Sequence, residues 1–136
     1  MSVEGIFGIA SSALNAQSQR ITLIAQNLAN ADSINSPEGG PYQRRIAIFE
    51  PQQLGEGPGA GAGVKVAAVV KDTAPGAEVF DPSNPFADEN GVVKEPNVNP
   101  VFEMVDMMQA SRSYQANLSV IQSANTSAMK TLDLLK

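Results

Sequence analysis

Each end of this chain carries an apolar seam at heptad spacing, and few architectures accommodate two. Near the N-terminus Val3, Phe7, Ala10, Leu14, Gln17, Ile21, Ile24, Leu28 and Ala31 follow one another in alternating steps of four and three. Near the C-terminus Met104, Met107, Ser111, Tyr114, Leu118, Ile121, Asn125, Ala128, Leu132 and Leu135 do the same. Apolar residues recurring every 3.5 positions over four heptads describe helices that pack against other helices along their whole length. Packing, rather than chemistry, is therefore the first expectation for what the chain does.

The seams divide 136 residues into three parts. Residues 1–36 read as one helix, with Ser2 as its N-cap, Glu4 at the positive end of the dipole, and an end near Ala31 where Asn30, Asp32, Ser33 and Pro37 break the pattern. Residues 97–136 read as a second helix, with Asn99 as N-cap and Pro100 at N1, where its missing N–H leaves no bond unmade. Between them, residues 37–96 form a β-rich insert of short strands and loops. Ile46–Phe49 and Val64–Val70 are the strand candidates, with Val79 and Phe80 a third piece. Gly55–Gly63 (GEGPGAGAG) reads as a flexible linker. The expected fold is mainly α with this small insert, the two long helices pairing as a coiled coil into one inner domain.

The insert is also the solvated part. It holds five basic and nine acidic side chains, hence four of the five units of net negative charge. The helices carry few charges. Away from the seams they present Ser12, Asn15, Gln19, Thr22 and Asn27, and Gln109, Ser113, Asn117, Ser119 and Thr126, where an exposed helix ordinarily shows Lys and Glu. Such side chains tolerate burial once hydrogen-bonded, and the small ones allow close approach. The composition predicts multimerisation, with termini poorly folded before it. A plain antiparallel hairpin of two amphipathic helices accounts for the heptads equally well. Gln17, Ser111 and Asn125, the polar seam positions, either fix register and partner number or lie where the seam frays.

Catalysis has little to work with. With no His and no Cys, neither a Ser-His nor a Cys-His nucleophile can be assembled, and the commonest metal ligands are missing. Ser127 and Lys130 match S-x-x-K by letter only. Asp81, Asp88 and Glu89 lack the spacing of a calcium loop, and the glycine-rich stretch lacks the G-K-[ST] of a phosphate loop. No catalytic residue, cofactor or metal is expected, and the chain is not read as an enzyme. Arg44–Arg45 is too short for a nucleic-acid patch, no run spans a membrane, and no cleaved signal peptide is expected at Met1–Glu4.

Two segments are more specific than periodicity. Ser12-Ala13-Leu14-Asn15-Ala16-Gln17 followed by Ile24-Ala25-Gln26-Asn27-Leu28-Ala29-Asn30-Ala31-Asp32-Ser33 resembles the N-terminal signature of the flagellar axial proteins of rod, hook and filament junction. Pro96-Asn97-Val98-Asn99-Pro100-Val101, with Glu103–Met108 and Ala110–Asn117, resembles their C-terminal helix. Val69–Asp72 and Asp81–Asp88 are similar to the small proximal-rod members. The family's glycine-tyrosine after the N-L-A-N-A phrase is here a longer segment ending Gly40-Pro41-Tyr42, similar to those same members.

This resemblance implies a structural subunit of the bacterial flagellar basal body. Subunits would leave the cytoplasm unfolded through the flagellar export apparatus and polymerise into a rod crossing the periplasm. The terminal helices would form the inner layer of a hollow drive shaft, with the insert facing outward. The partners implied are further copies, other rod proteins and neighbouring basal-body components. The seam residues Val3, Phe7, Leu14, Ile21, Ile24, Leu28, Met104, Met107, Tyr114, Leu118, Ile121, Leu132 and Leu135 are the expected assembly interface, and Asn27 and Asn30 the expected helix end. A standalone helical-hairpin adaptor and another exported tube subunit are the rival readings.

Overall fold

The computed structural model describes residues 3–55 and 61–134; Ser2, Leu135, the side chain of Val3 and the middle of the glycine-rich stretch lie outside them. Two long helices and four strands follow in the order α1 (Val3–Ala29), β1 (Arg45–Leu54), β2 (Gly61–Lys71), β3 (Glu78–Phe80), β4 (Val92–Lys94) and α2 (Pro100–Asp133). The fold is mainly helical, with two small antiparallel sheets, β1–β2 and β3–β4.

Helix α2 begins as its sequence dictates. Asn99 holds an extended backbone, and its side chain accepts from the Val101 and Phe102 amides, with Pro100 at the first helical position. Helix α1 ends without a glycine. Its last turn tightens through Ala31 N–H to the Leu28 carbonyl and Ser33 N–H to the Asn30 carbonyl. The Asn30 carboxamide donates to the Gln26 carbonyl and accepts from Ser33 Oγ. The chain then reverses through Gly39 and Gly40, whose φ angles of 88° and 74° no β-branched residue would adopt easily.

The strands are longer than expected. β1 continues past Phe49 through Pro51 to Leu54, and β2 begins at Gly61, inside the stretch read as a linker. Glycine is needed there for contact rather than flexibility. A Cβ on Gly61 would meet Ile9, and one on Gly63 would lie 2.4 Å from Ser12 Oγ and 2.8 Å from Leu54. The Ser12 hydroxyl donates to the Ile9 carbonyl and accepts from the Val64 amide, tying helix to ribbon. One register shift, at Ile48/Phe49, leaves Ala67 unpaired as a bulge.

Helix α1 is thus covered on two sides, by α2 and by the β1–β2 ribbon. The helices run antiparallel: Asn27 meets Glu103 and Arg20 meets Asp106 at one end, while Ile6 faces Ser119–Ser127 at the other. The second face of α1 that suggested neighbouring helices is occupied, at Ser12 and Asn27, by the chain's own insert. The apolar core is thin: Ala10, Ala16 and Ile24 of α1, Ala110 of α2, and Tyr42, Val93 and Val98. Gly63→Ala should cost about 1–3 kcal/mol through overpacking, read as a lower urea midpoint of the purified subunit, whereas Ala62→Ser on the exposed side of β2 should leave it unchanged.

Candidate assembly interface

The site is a surface, and one buried polar cluster sets its shape. Asn27 is 1% exposed and uses its whole carboxamide. Oδ1 accepts from the Arg45 amide at 2.9 Å and from the Tyr42 hydroxyl at 3.0 Å. Nδ2 donates to the Arg45 carbonyl at 2.9 Å and to Glu103 Oε2 at 3.0 Å. The side chain thereby pairs with the first residue of β1 as a neighbouring strand would, while holding α2. Asn27 was expected to cap the end of α1. It cannot, because its carboxamide is turned inward, and Asn30 takes the carbonyl at the helix end instead.

Glu103 is fully buried. Its second oxygen accepts from Arg44 Nε, and Arg44 Nη2 reaches Asp106 Oδ2 at 3.1 Å. Asp106 also meets Arg20 of α1 at 3.7 Å. Arg44 N–H donates to Asn97 Oδ1 at 2.7 Å, and the Asn97 amide donates to the carbonyls of Asp72 and Ala74. Both helices, the start of β1 and the end of β2 therefore meet at one knot. A buried carboxylate is tolerable there because charge and hydrogen bonds both answer it. Burial raises the pKa of the Tyr42 phenol above its usual value, against the opposing pull of the Arg45 guanidinium, which lies 5.9 Å from the ring centre. On the surface, Glu38 pairs with both Lys71 and Arg45, and the hydrogen bond from Lys71 chiefly lowers its pKa.

Periodicity and motif give Glu103, Asp106, Arg20, Arg44 and Tyr42 no part in joining the helices, yet the structure brings all five to this knot. The available signal was that isolated charges stand in helices otherwise almost free of them.

The predicted seam residues divide. Ile24 is buried, and Phe7, Leu14, Ile21 and Leu28 are half-buried in α1. On α2, Met107, Tyr114 and Ile121 are half-buried, but Met104, Leu118 and Leu132 stand 56%, 40% and 60% exposed. The line α2 buries runs through Glu103, Met107, Ala110, Tyr114, Asn117, Ile121 and Ala124. It is rotated from the expected line because Glu103 is drawn to Asn27 and Arg44, and fully buried Ala110 permits close approach. A second apolar face is left outward at one end, through Val101, Phe102, Met104, Val105 and Met108, and at the other end Met129, Leu132 and Leu134 are exposed beyond the stretch of α2 that Ile6 faces.

Four polar side chains of α2 are satisfied within their own helix. The Ser119, Thr126 and Thr131 hydroxyls and the Asn117 amide each donate to a carbonyl four residues back. Asp81 and Asp88 spend their oxygens on turns. Asp81 accepts from Ser83, and Asp88 from the Asn90 and Val92 amides, which lowers both pKa values.

The chain's C-terminal part, residues 89–134, matches the family model for the flagellar basal body rod FlgEFG protein C-terminal region. Over 135 residues, 98% of either chain, it is 50% identical to the flagellar basal-body rod protein FlgC of Salmonella typhimurium. It is 47% identical over 135 residues to FlgC of Yersinia enterocolitica, again with 98% of both covered. With FlgC of Borreliella burgdorferi the identity is 41% over 143 residues, covering 94% of each.

Asn27→Leu strands the Arg45 amide and carbonyl, the Tyr42 hydroxyl and one Glu103 oxygen. It should cost at least about 3 kcal/mol in urea unfolding of the purified subunit, against about 1 kcal/mol for Asn30→Ala. A spectrophotometric titration at alkaline pH should show one phenol ionising late, absent from Tyr42→Phe. Because the folded pKa is raised, the stability linked to Tyr42 is complete below the usual value of 10.0 and lost as pH climbs through the raised one.

Proposed function

The chain belongs to the flagellar basal-body rod proteins of the FlgC kind, and from that premise we propose that it polymerises through its terminal helices into the proximal rod. Its role is structural rather than enzymatic: a subunit of the basal body's shaft, serving motility. The observation that carries the proposal is the surface left over. The chain exposes 9191 Å², where a compact monomer of 14.2 kDa would expose about 6,800 Å². Part of that surface is the outward apolar face of α2, beside hydroxyls such as those of Ser119, Thr126 and Thr131 whose hydrogen bonds are already made within the helix. Such a face suits burial against other helices more than contact with water.

In this proposal α1 and α2 pair as an antiparallel coiled coil in the inner wall. Met104, Leu118 and Leu132 contact neighbouring subunits, while Ile24, Ile21 and Leu28 hold the subunit's own pair together. Phe7, Leu14, Met107, Tyr114 and Ile121 complete the seams between these contacts. The insert faces outward, toward adjacent rod proteins and the components around them. The subunit reaches the periplasm through the flagellar export apparatus, unfolded, which accords with a thin core of mostly small side chains.

Deleting the gene should abolish swimming and leave basal bodies without a rod, and normal motility in the deletion strain would sink the proposal. Leu118→Asp should separate assembly from folding. Leu118 is exposed in the subunit, so circular dichroism of the purified variant should match the parent, while complementation of the deletion fails. Leu28→Asp, in the half-buried seam, should lose both.

A further inference from the structure

Charge in this chain is segregated. Residues 72–95 hold six carboxylates and one lysine, a net charge of −5 that equals that of the whole chain; the remainder is neutral. The same segment, the β3–β4 hairpin and its connections, exposes Phe80 at 72%, Phe86 at 54% and Val79 at 43%. Its loop is held by the Asp81 and Asp88 turns, by Asn84 accepting from the Phe86 amide, and by Gly91 at φ +74° against Phe80 and Pro82. Beside Phe86 opens a cleft of about 350 Å³ floored by Ile34, Pro41, Val92 and Val93, with Asp88 and Lys94 at its edge. Rigid exposed aromatics beside an apolar cleft form a pre-organised anchor point for a partner.

Charge decides which partner. Among the described residues, Arg20, Arg44, Arg45, Lys65 and Lys71 all make ion pairs within the subunit. Outside the lobe, Arg112 and Lys130 are the cations left, and they lie 18 positions apart on α2, about 27 Å. Among the described residues a second copy therefore offers no cluster of unpaired cations, and its own lobe repels this one. We infer that the β3–β4 lobe docks a different protein, one that presents an apolar side chain flanked by lysine or arginine to the Phe86 cleft. The inference rests on the rod-subunit reading: the helices join subunits to subunits, and the lobe joins the assembly to a basic neighbour.

The test places the photoreactive residue p-benzoylphenylalanine at Phe86, and separately at Phe80 and at Met108 on the outward face of α2, in the full chain in cells building basal bodies. The Phe86 and Phe80 probes should link to a polypeptide other than this chain, through a peptide with more Lys and Arg than Asp and Glu. Glu89→Lys with Glu95→Lys, carboxylates outside the turn network, should lower that yield about tenfold through like-charge repulsion and leave the Met108 adduct unchanged. Linkage to a second copy, linkage to a neutral or acidic peptide, or no adduct from either lobe probe while Met108 links, would each overturn the inference. Failure of Met108 as well would remove the rod-subunit reading, and this inference with it.

Discussion

The Asn27 carboxamide is the interaction on which the rest of the structure depends. It is the point where three segments far apart in sequence are obliged to meet: α1 through its own backbone, the start of β1 through Arg45, and α2 through Glu103. Each of its four hydrogen bonds is worth about 0.5–1.5 kcal/mol net, but leaving any buried partner unmade costs more. The asymmetry makes the cluster a device for choosing one arrangement rather than a large source of stability. Apolar seams alone would let α2 rotate against α1 with little penalty. Glu103 removes that freedom by fixing which side of α2 turns inward.

The helices were legible because their signals are local and redundant. Period, the absence of Gly and Pro over residues 9–36 and 101–136, and the Asn99–Pro100 start all agree, and α2 begins where they place it. The strands were legible as locations but not as lengths. Pro51 argues against a strand, and Gly61 and Gly63 look like linker by composition. Only the approach of Ile9 and Ser12 explains why small residues belong there. The rotation of α2 was not legible, since a heptad count weighs apolar residues and cannot register that a glutamate outranks Met104 for the inner position once Arg44 and Asn27 await it. Tyr42 was quoted as part of a family phrase, but its hydroxyl has meaning only beside an asparagine fifteen residues earlier.

The two sides of α2 follow one physical rule differently applied. On the inner side Glu103 and Asp106 are bound to other segments. On the outer side Ser119, Thr126 and Thr131 return their hydroxyl protons to their own helix. A helix treated so can exchange water for protein on that side without stranding those donors.

The polar knot has a mechanical side. Two helices joined only by ridges and grooves can slip by a turn, about 5.4 Å, and find a nearly equivalent fit. Here such a slip would carry Asn27 away from four fixed partners at once and drag Glu103 from Arg44. The knot sits at one end of the pair, so it acts as a shear pin. Axial or torsional load on either helix passes there into the other and into the ribbon, with the Ser12–Val64 hydrogen bond as a second tie between α1 and the ribbon toward the other end.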